Sequence, residues 1–117
     1  MSMHQGSCHC GAVTFEVEAE DLSKATACNC SMCGRAGAWM VFVPGARFQL
    51  KTGADQLTDY QFGRKHIHHP FCKVCGIKPF AHGKDGGGND MIAVNVRCVE
   101  GLDLRQITPT WFDGASL

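Results

Sequence analysis

Three cysteines within six residues, Cys28-Asn29-Cys30-Ser31-Met32-Cys33, limit the folding of this chain more than any other feature. Thiols two residues apart face one point when the backbone is extended, and thiols three apart do so when it folds back in a turn. A segment with both spacings supplies three corners of a tetrahedron around a soft or borderline cation such as zinc. Gly34 follows as a flexible exit. Two further pairs, Cys8/Cys10 between Gly6 and Gly11 and Cys72/Cys75 followed by Gly76, make a complete set of four sulfur ligands. Four sulfurs close a structural site, whereas three without an evident fourth ligand leave a position open, as catalytic zinc sites do. One zinc of each kind is therefore expected. Spacing alone leaves the pairing open. Cys30/Cys33 and Cys72/Cys75 could be the two knuckles of one zinc ribbon, with Cys8, Cys10 and Cys28 as the incomplete set, although so long an interval is unusual for a ribbon.

The length of 117 residues predicts a single domain, residues 1–117, with a core small enough that a metal crosslink contributes appreciably to stability. Met1 to Cys10 has neither a basic start nor an apolar centre. The longest apolar run, Ala38 to Val43, is too short to span a bilayer. A cytoplasmic location without membrane attachment is the expectation. No secretory signal supports disulfides for the eight cysteines, and their clustering in close pairs suits metal better. Cys98 follows an alternating apolar run and is read as a small buried side chain. Lys plus Arg and Asp plus Glu both number 11 and are scattered singly, so there is no basic stripe for nucleic acid. Arg35, Lys73 and Lys78 stand near the thiols and can offset thiolate charge.

Val13, Phe15 and Val17 alternate with Thr14, Glu16 and Glu18, the period of a half-buried strand. Thr26 to Cys30 reads as extended, and Cys30 to Ala36 as a turn or one helical turn. Ala38 to Val43 is apolar on both faces, which suits a central strand ended by Pro44-Gly45. Arg47 to Lys51 and Leu57 to Phe62 read as shorter strands, His66 to Phe71 as a segment leading into the Cys72–Gly76 knuckle, and Met91 to Val96 as the last clear strand. Gly83 to Asp90 reads as a mobile loop. With no sustained helical periodicity, the fold class is all-β: small antiparallel sheets clamped by zinc.

Gly6-Ser7-Cys8-His9-Cys10-Gly11-Ala12-Val13-Thr14-Phe15, the cysteine triplet at Cys28, Phe71-Cys72-Lys73-Val74-Cys75-Gly76 and Trp111-Phe112-Asp113-Gly114 occur in the order found in one family. Together they resemble the glutathione-dependent formaldehyde-activating enzymes, also called the centromere protein V/GFA domain. The resemblance implies a β-tent fold with two zinc ions. Cys8, Cys10, Cys72 and Cys75 would hold the structural ion, and Cys28, Cys30 and Cys33 the catalytic one. It also implies a carbon–sulfur lyase type of activity on the adduct of glutathione, or a similar thiol, with an aldehyde. Many members have His where this chain has Asn29, and two basic residues where it has Gly34-Arg35.

Three thiolates around a +2 ion leave a formal charge of −1, a weak Lewis acid but a good host for one more soft ligand. A thiol docked there is held as thiolate at neutral pH, which independently favours a thiol cosubstrate. Arg35, Arg64 and Lys65 are the candidates for anchoring its carboxylates. His66, His68, His69 and His82 are candidates for a fourth ligand or a general acid, and Trp39 and Trp111 for the core or a pocket wall. A histidine that closed the Cys28 site would instead favour a non-catalytic, zinc-stabilised binding module. Oxidation of the Cys28 cluster with loss of zinc would favour a thiol redox sensor.

Overall fold

Alternation of apolar and polar residues builds the first sheet. The strand expected around Val13, Phe15 and Val17 is β2 (Thr14–Ala19), with Phe15 and Val17 fully buried. These details come from a computed structural model that describes residues 2–117. On one side β2 pairs antiparallel with β1 (Ser2–Ser7), and on the other with β5 (Phe48–Thr52). β1 carries no alternating apolar pattern. It is a strand because β2 presents a ladder, running from Ser2 opposite Ala19 to Ser7 opposite Thr14. Gly6 lies under the Phe15 ring, where any side chain would collide.

The remaining strands form a seven-stranded sheet. β3 (Thr26–Cys28) leads into α1 (Ser31–Ala36), the one α-helix among the described residues, and then into β4 (Trp39–Pro44). β6 (Leu57–Tyr60), β7 (Ile67–Cys72), β8 (Phe80–Lys84), β9 (Asp90–Asn95) and β10 (Thr110–Phe112) complete it, in the order β10-β3-β4-β9-β8-β7-β6. Every pairing is antiparallel except β10 with β3. The all-β expectation of small, mainly antiparallel sheets holds, with two sheets among the described residues. As expected, β4 is central, between β3 and β9.

Its two faces do different things. Trp39, Val41 and Val43 point to the core, where Phe15, Val17, Val94 and Val96 are fully buried, while Met40 and Phe42 point the other way. Phe42 remains 59% exposed. Trp39 packs on the core with the Arg97 guanidinium stacked over its ring at 4.2 Å. Trp111, on edge strand β10, is 69% exposed.

The glycine-rich stretch expected to be a loose loop is a hairpin turn. Lys84 faces Asp90 across the ladder, and Asp85 Oδ1 accepts hydrogen bonds from the Gly87 and Asn89 amides at 2.8 and 2.9 Å. The side chain of Asp85 thus supplies the order that composition does not reveal. Among the described residues, no helix is long and apolar enough to cross a membrane.

Phe15 stacks on Phe48 of the neighbouring strand at 5.3 Å, and Phe48 joins the sheets by meeting Phe80 of β8 at 4.7 Å. Phe15→Ala is expected to destabilise the metal-loaded protein by about 3–5 kcal/mol in urea unfolding. A loss below about 1 kcal/mol would place the core elsewhere.

Candidate metal centres and the adjoining cavity

Cys8 and Cys10 occupy the turn between β1 and β2, where the Cys8 amide donates to Val13 O at 3.0 Å. Cys72 ends β7 and Cys75 sits on the turn after it, where the Gly76 amide donates to Cys72 O at 2.7 Å. The four sulfurs lie within 4.8 Å of one another, and all four cysteines are unbridged. Cys8 to Cys10 is 3.7 Å and Cys10 to Cys72 is 3.6 Å. These separations are far longer than a disulfide. They are close to the edge of about 3.8 Å that follows from tetrahedral zinc–sulfur bonds of about 2.3 Å. The Val13 amide donates to Cys8 Sγ at 3.4 Å, and Val13, Leu50 and Leu57 pack against buried Cys8 and Cys72, while Cys10 is exposed. The Cys10 and Ile77 amides draw the Cys75 thiol down to about 6.

The second cluster is built locally. Cys28 closes β3, Cys30 caps α1 and Cys33 lies in its first turn; the three sulfurs are within 4.8 Å of one another. The Cys30 amide donates to Cys28 Sγ at 3.4 Å and the Cys33 amide to Cys30 Sγ at 3.3 Å. Amides aimed at sulfur stabilise thiolate and suit a metal ligand. Among the described residues no histidine nitrogen joins this group, so the protein supplies three donors. Burial, followed by the neighbouring Cys30, pushes Cys33 up to about 12.

The C-terminal segment forms the third wall. Asn29 donates from Nδ2 to Asp113 Oδ1 and accepts at Oδ1 from the Ala115 amide, both at 2.9 Å, and its own amide donates to Phe112 O at 3.3 Å. These bonds lay Gly114 against the thiols. A Cβ at Gly114 would sit 2.5 Å from Cys28 Sγ and 3.2 Å from Cys30 Cβ. Nothing in the spacing of Cys28, Cys30 and Cys33 points to Asn29 or Gly114.

Beside the three thiols opens a cavity of about 520 Å³ whose wall is largely apolar, with Met40, Phe42, Ala81 and Ala93 on its floor. Lys78 lines it while being only 8% exposed. Its Nζ donates to His69 Nδ1 at 3.2 Å, and His69 stacks on Phe62 with ring centroids 5.3 Å apart. Burial holds the Lys78 ammonium below the ordinary lysine range, against the pull of Cys33 and Cys30. Burial and the Lys78 charge likewise lower His69, which favours the neutral imidazole that this bond requires. Asn95 Nδ2 donates to Lys78 O at 3.0 Å and steadies the segment. A lone lysine between Ile77 and Pro79-Phe80 was the available sequence signal, but charge offset was the only role its position suggested.

The structure places the other candidates elsewhere. Arg35 is exposed, donates from Nη1 to Ser31 O at 2.9 Å, and lines a shallow groove of about 310 Å³ that shares Met32 and Phe62 with the main cavity. Arg64 and Lys65 lie on the exposed connection between β6 and β7, outside the cavity lining. His66, His68 and His82 line a different depression, where His68 stacks on His82 at 4.5 Å and meets Asp59 Oδ2 at 2.6 Å. Cys98 packs against the core, and burial pushes it up to about 11.

A strand-rich fold with one four-thiol cluster and one three-thiol cluster at a cavity defines a class able to hold two metal ions. Residues 3–112 match the family described as glutathione-dependent formaldehyde-activating enzyme (GFA), and the chain belongs to that family. The fold is similar to the crystal structure of a Rhodobacter sphaeroides protein solved as a structural genomics target. The TM-score is 0.80 at 36% identity, covering 92% of this chain and 99% of that one.

Gly114→Ala is expected to remove most metal from the three-thiol site while the four-thiol site stays filled. Elemental analysis would then fall from about two ions per chain toward one; retention of both would show that the tail does not shape the site. Because metal must displace the Cys33 proton, affinity there should rise with pH. Competition with a chromophoric chelator should show about a tenfold loss per proton displaced between pH 7.5 and 6.5.

Proposed function

We propose that this protein is a zinc-dependent enzyme of carbon–sulfur lyase type, acting on the adduct of glutathione or a similar thiol with an aldehyde. The observation that carries the proposal is a set of three thiols, without a fourth donor among the described residues, at the end of a cavity lined by a buried lysine. Zinc held by Cys28, Cys30 and Cys33 would bind a further sulfur and keep it as thiolate. Cys8, Cys10, Cys72 and Cys75 would hold a second zinc that braces the fold.

The addition is redox-neutral. A bond forms between thiol sulfur and aldehyde carbon, the carbonyl pair moves to oxygen, and the proton lost by the thiol ends on that oxygen. Cleavage is the reverse. Lys78 donates a hydrogen bond to the oxygen as its charge develops, and His69, through Nδ1, orients the ammonium. The low-polarity wall strengthens that bond and limits competing water. Arg35, in the groove beyond Met32 and Phe62, is the best placed of the three basic candidates to take a carboxylate of the thiol; Arg64 and Lys65 stand farther out. A pure binding module would require neither the open ligand set nor Lys78.

The test tracks exchange between free and adducted glutathione by NMR, across a panel of aldehydes, with zinc-loaded protein. At least one pair should equilibrate about 100-fold faster than without protein. Cys30→Ser should abolish the gain, and Lys78→Met should reduce kcat by about 100-fold with partial recovery in Lys78→Arg. Uncatalysed rates for every pair would end the enzyme proposal.

A further inference from the structure

The face of the seven-stranded sheet turned away from the core is apolar and only partly covered. On β3, Thr26 and Cys28 share this face; Thr26 pairs with Met40, Phe42 with Ala93, and Ala93 with Ala81. Beyond Thr26 and Cys28 on β3, an apolar row therefore runs across β4, β9 and β8 and forms the floor of the cavity. Phe112 and Phe62 stand at its sides. Exposed apolar surface this continuous, next to chemistry, marks a ligand site rather than scattered surface residues.

Neither family substrate accounts for that lining. A one-carbon aldehyde would leave almost all of the roughly 520 Å³ as water against hydrocarbon. Glutathione has the bulk but carries two carboxylates and an ammonium. Apart from the thiols, Lys78 and His69 are the only ionisable side chains lining the cavity among the described residues. Burying those charges against Met40, Phe42 and Ala93 would leave them unpaired.

We propose that the electrophile is an aldehyde bearing an apolar chain or ring, its hydrocarbon lying along Met40, Phe42, Ala93 and Ala81 and its oxygen directed to Lys78. This rests on the thiol-addition chemistry above and names its substrate class. The thiol enters from the Cys28 side, so its polar remainder extends toward Arg35 and not over the sheet.

The experiment compares hexanal with formaldehyde, using 2-mercaptoethanol as thiol so that recognition of glutathione plays no part. Each rate is divided by its uncatalysed rate. A buried methylene is worth about fourfold, so partial burial of the hexanal chain should raise its kcat/KM about 100-fold over that of formaldehyde. Ala93→Phe, which fills the floor, should narrow this ratio at least tenfold; Phe42→Ser serves the same purpose if the first variant does not fold. Binding of unreactive hexanamide and acetamide to zinc-loaded protein, measured by calorimetry, gives a second readout, with hexanamide expected to bind at least tenfold tighter. Equal or better use of formaldehyde overturns the proposal and leaves the thiol-addition chemistry standing. Absence of all turnover with chain-dependent amide binding removes that chemistry but supports the apolar site. Absence of both overturns both.

Discussion

The structure depends on sulfur held in common by distant parts of the chain. Cys10 and Cys72 are 62 residues apart, yet their sulfurs meet at 3.6 Å. This contact fastens the β1–β2 turn to the end of β7, and so ties the three-stranded sheet to the seven-stranded one. Bare thiols contribute little cohesion. A metal ion bound only by the folded arrangement adds its binding free energy to folding, and a chain of this length gains much from that. The same anchorage positions the segment beyond Cys75. Ile77 returns a backbone bond to Cys72, Asn95 holds both Lys78 O and Pro79 O, and Lys78 is thereby turned into the cavity.

The two clusters differ in ligand number and surroundings. The four-thiol set joins buried Cys8 and Cys72, packed with Val13, Leu50 and Leu57, to exposed Cys10 and half-buried Cys75, and its four sulfurs complete a tetrahedral set without an outside ligand. The three-thiol set is covered on one side by the tail, which is held by the β10–β3 ladder and by the Asn29 side chain, and opens on the other to the apolar floor. Asn29 bonds to the tail with both ends of its amide and supplies no metal donor. Its side chain thus joins the β10–β3 ladder in holding Gly114 against Cys28.

Several elements could be read from residue order because local physics alone sets them. The period-two pattern of β2, the two-sided apolar run of β4 and the turn from Cys30 are of this kind. β1 and β10 were illegible for the opposite reason: their residues have no strand pattern, and they extend only because β2 and β3 offer unpaired edges. The hairpin at Asp85 was hidden by glycines whose flexibility one carboxylate overrides. Charge alone makes Arg64 and Lys65 candidates, but distance from the thiols depends on how β6 and β7 cross the sheet, which charge cannot indicate.

By itself, the sequence determined that sulfur would organise the molecule, that strands would predominate, and that three thiols would converge within one turn. Those properties follow from spacings of two and three residues, over which the backbone has few choices. Tertiary structure alone decided which cysteine pairs meet, that Lys78 and His69 face the cavity, and that the second apolar face of β4 is a floor rather than core. Such outcomes depend on strand order and register, through which residues far apart in the chain become neighbours.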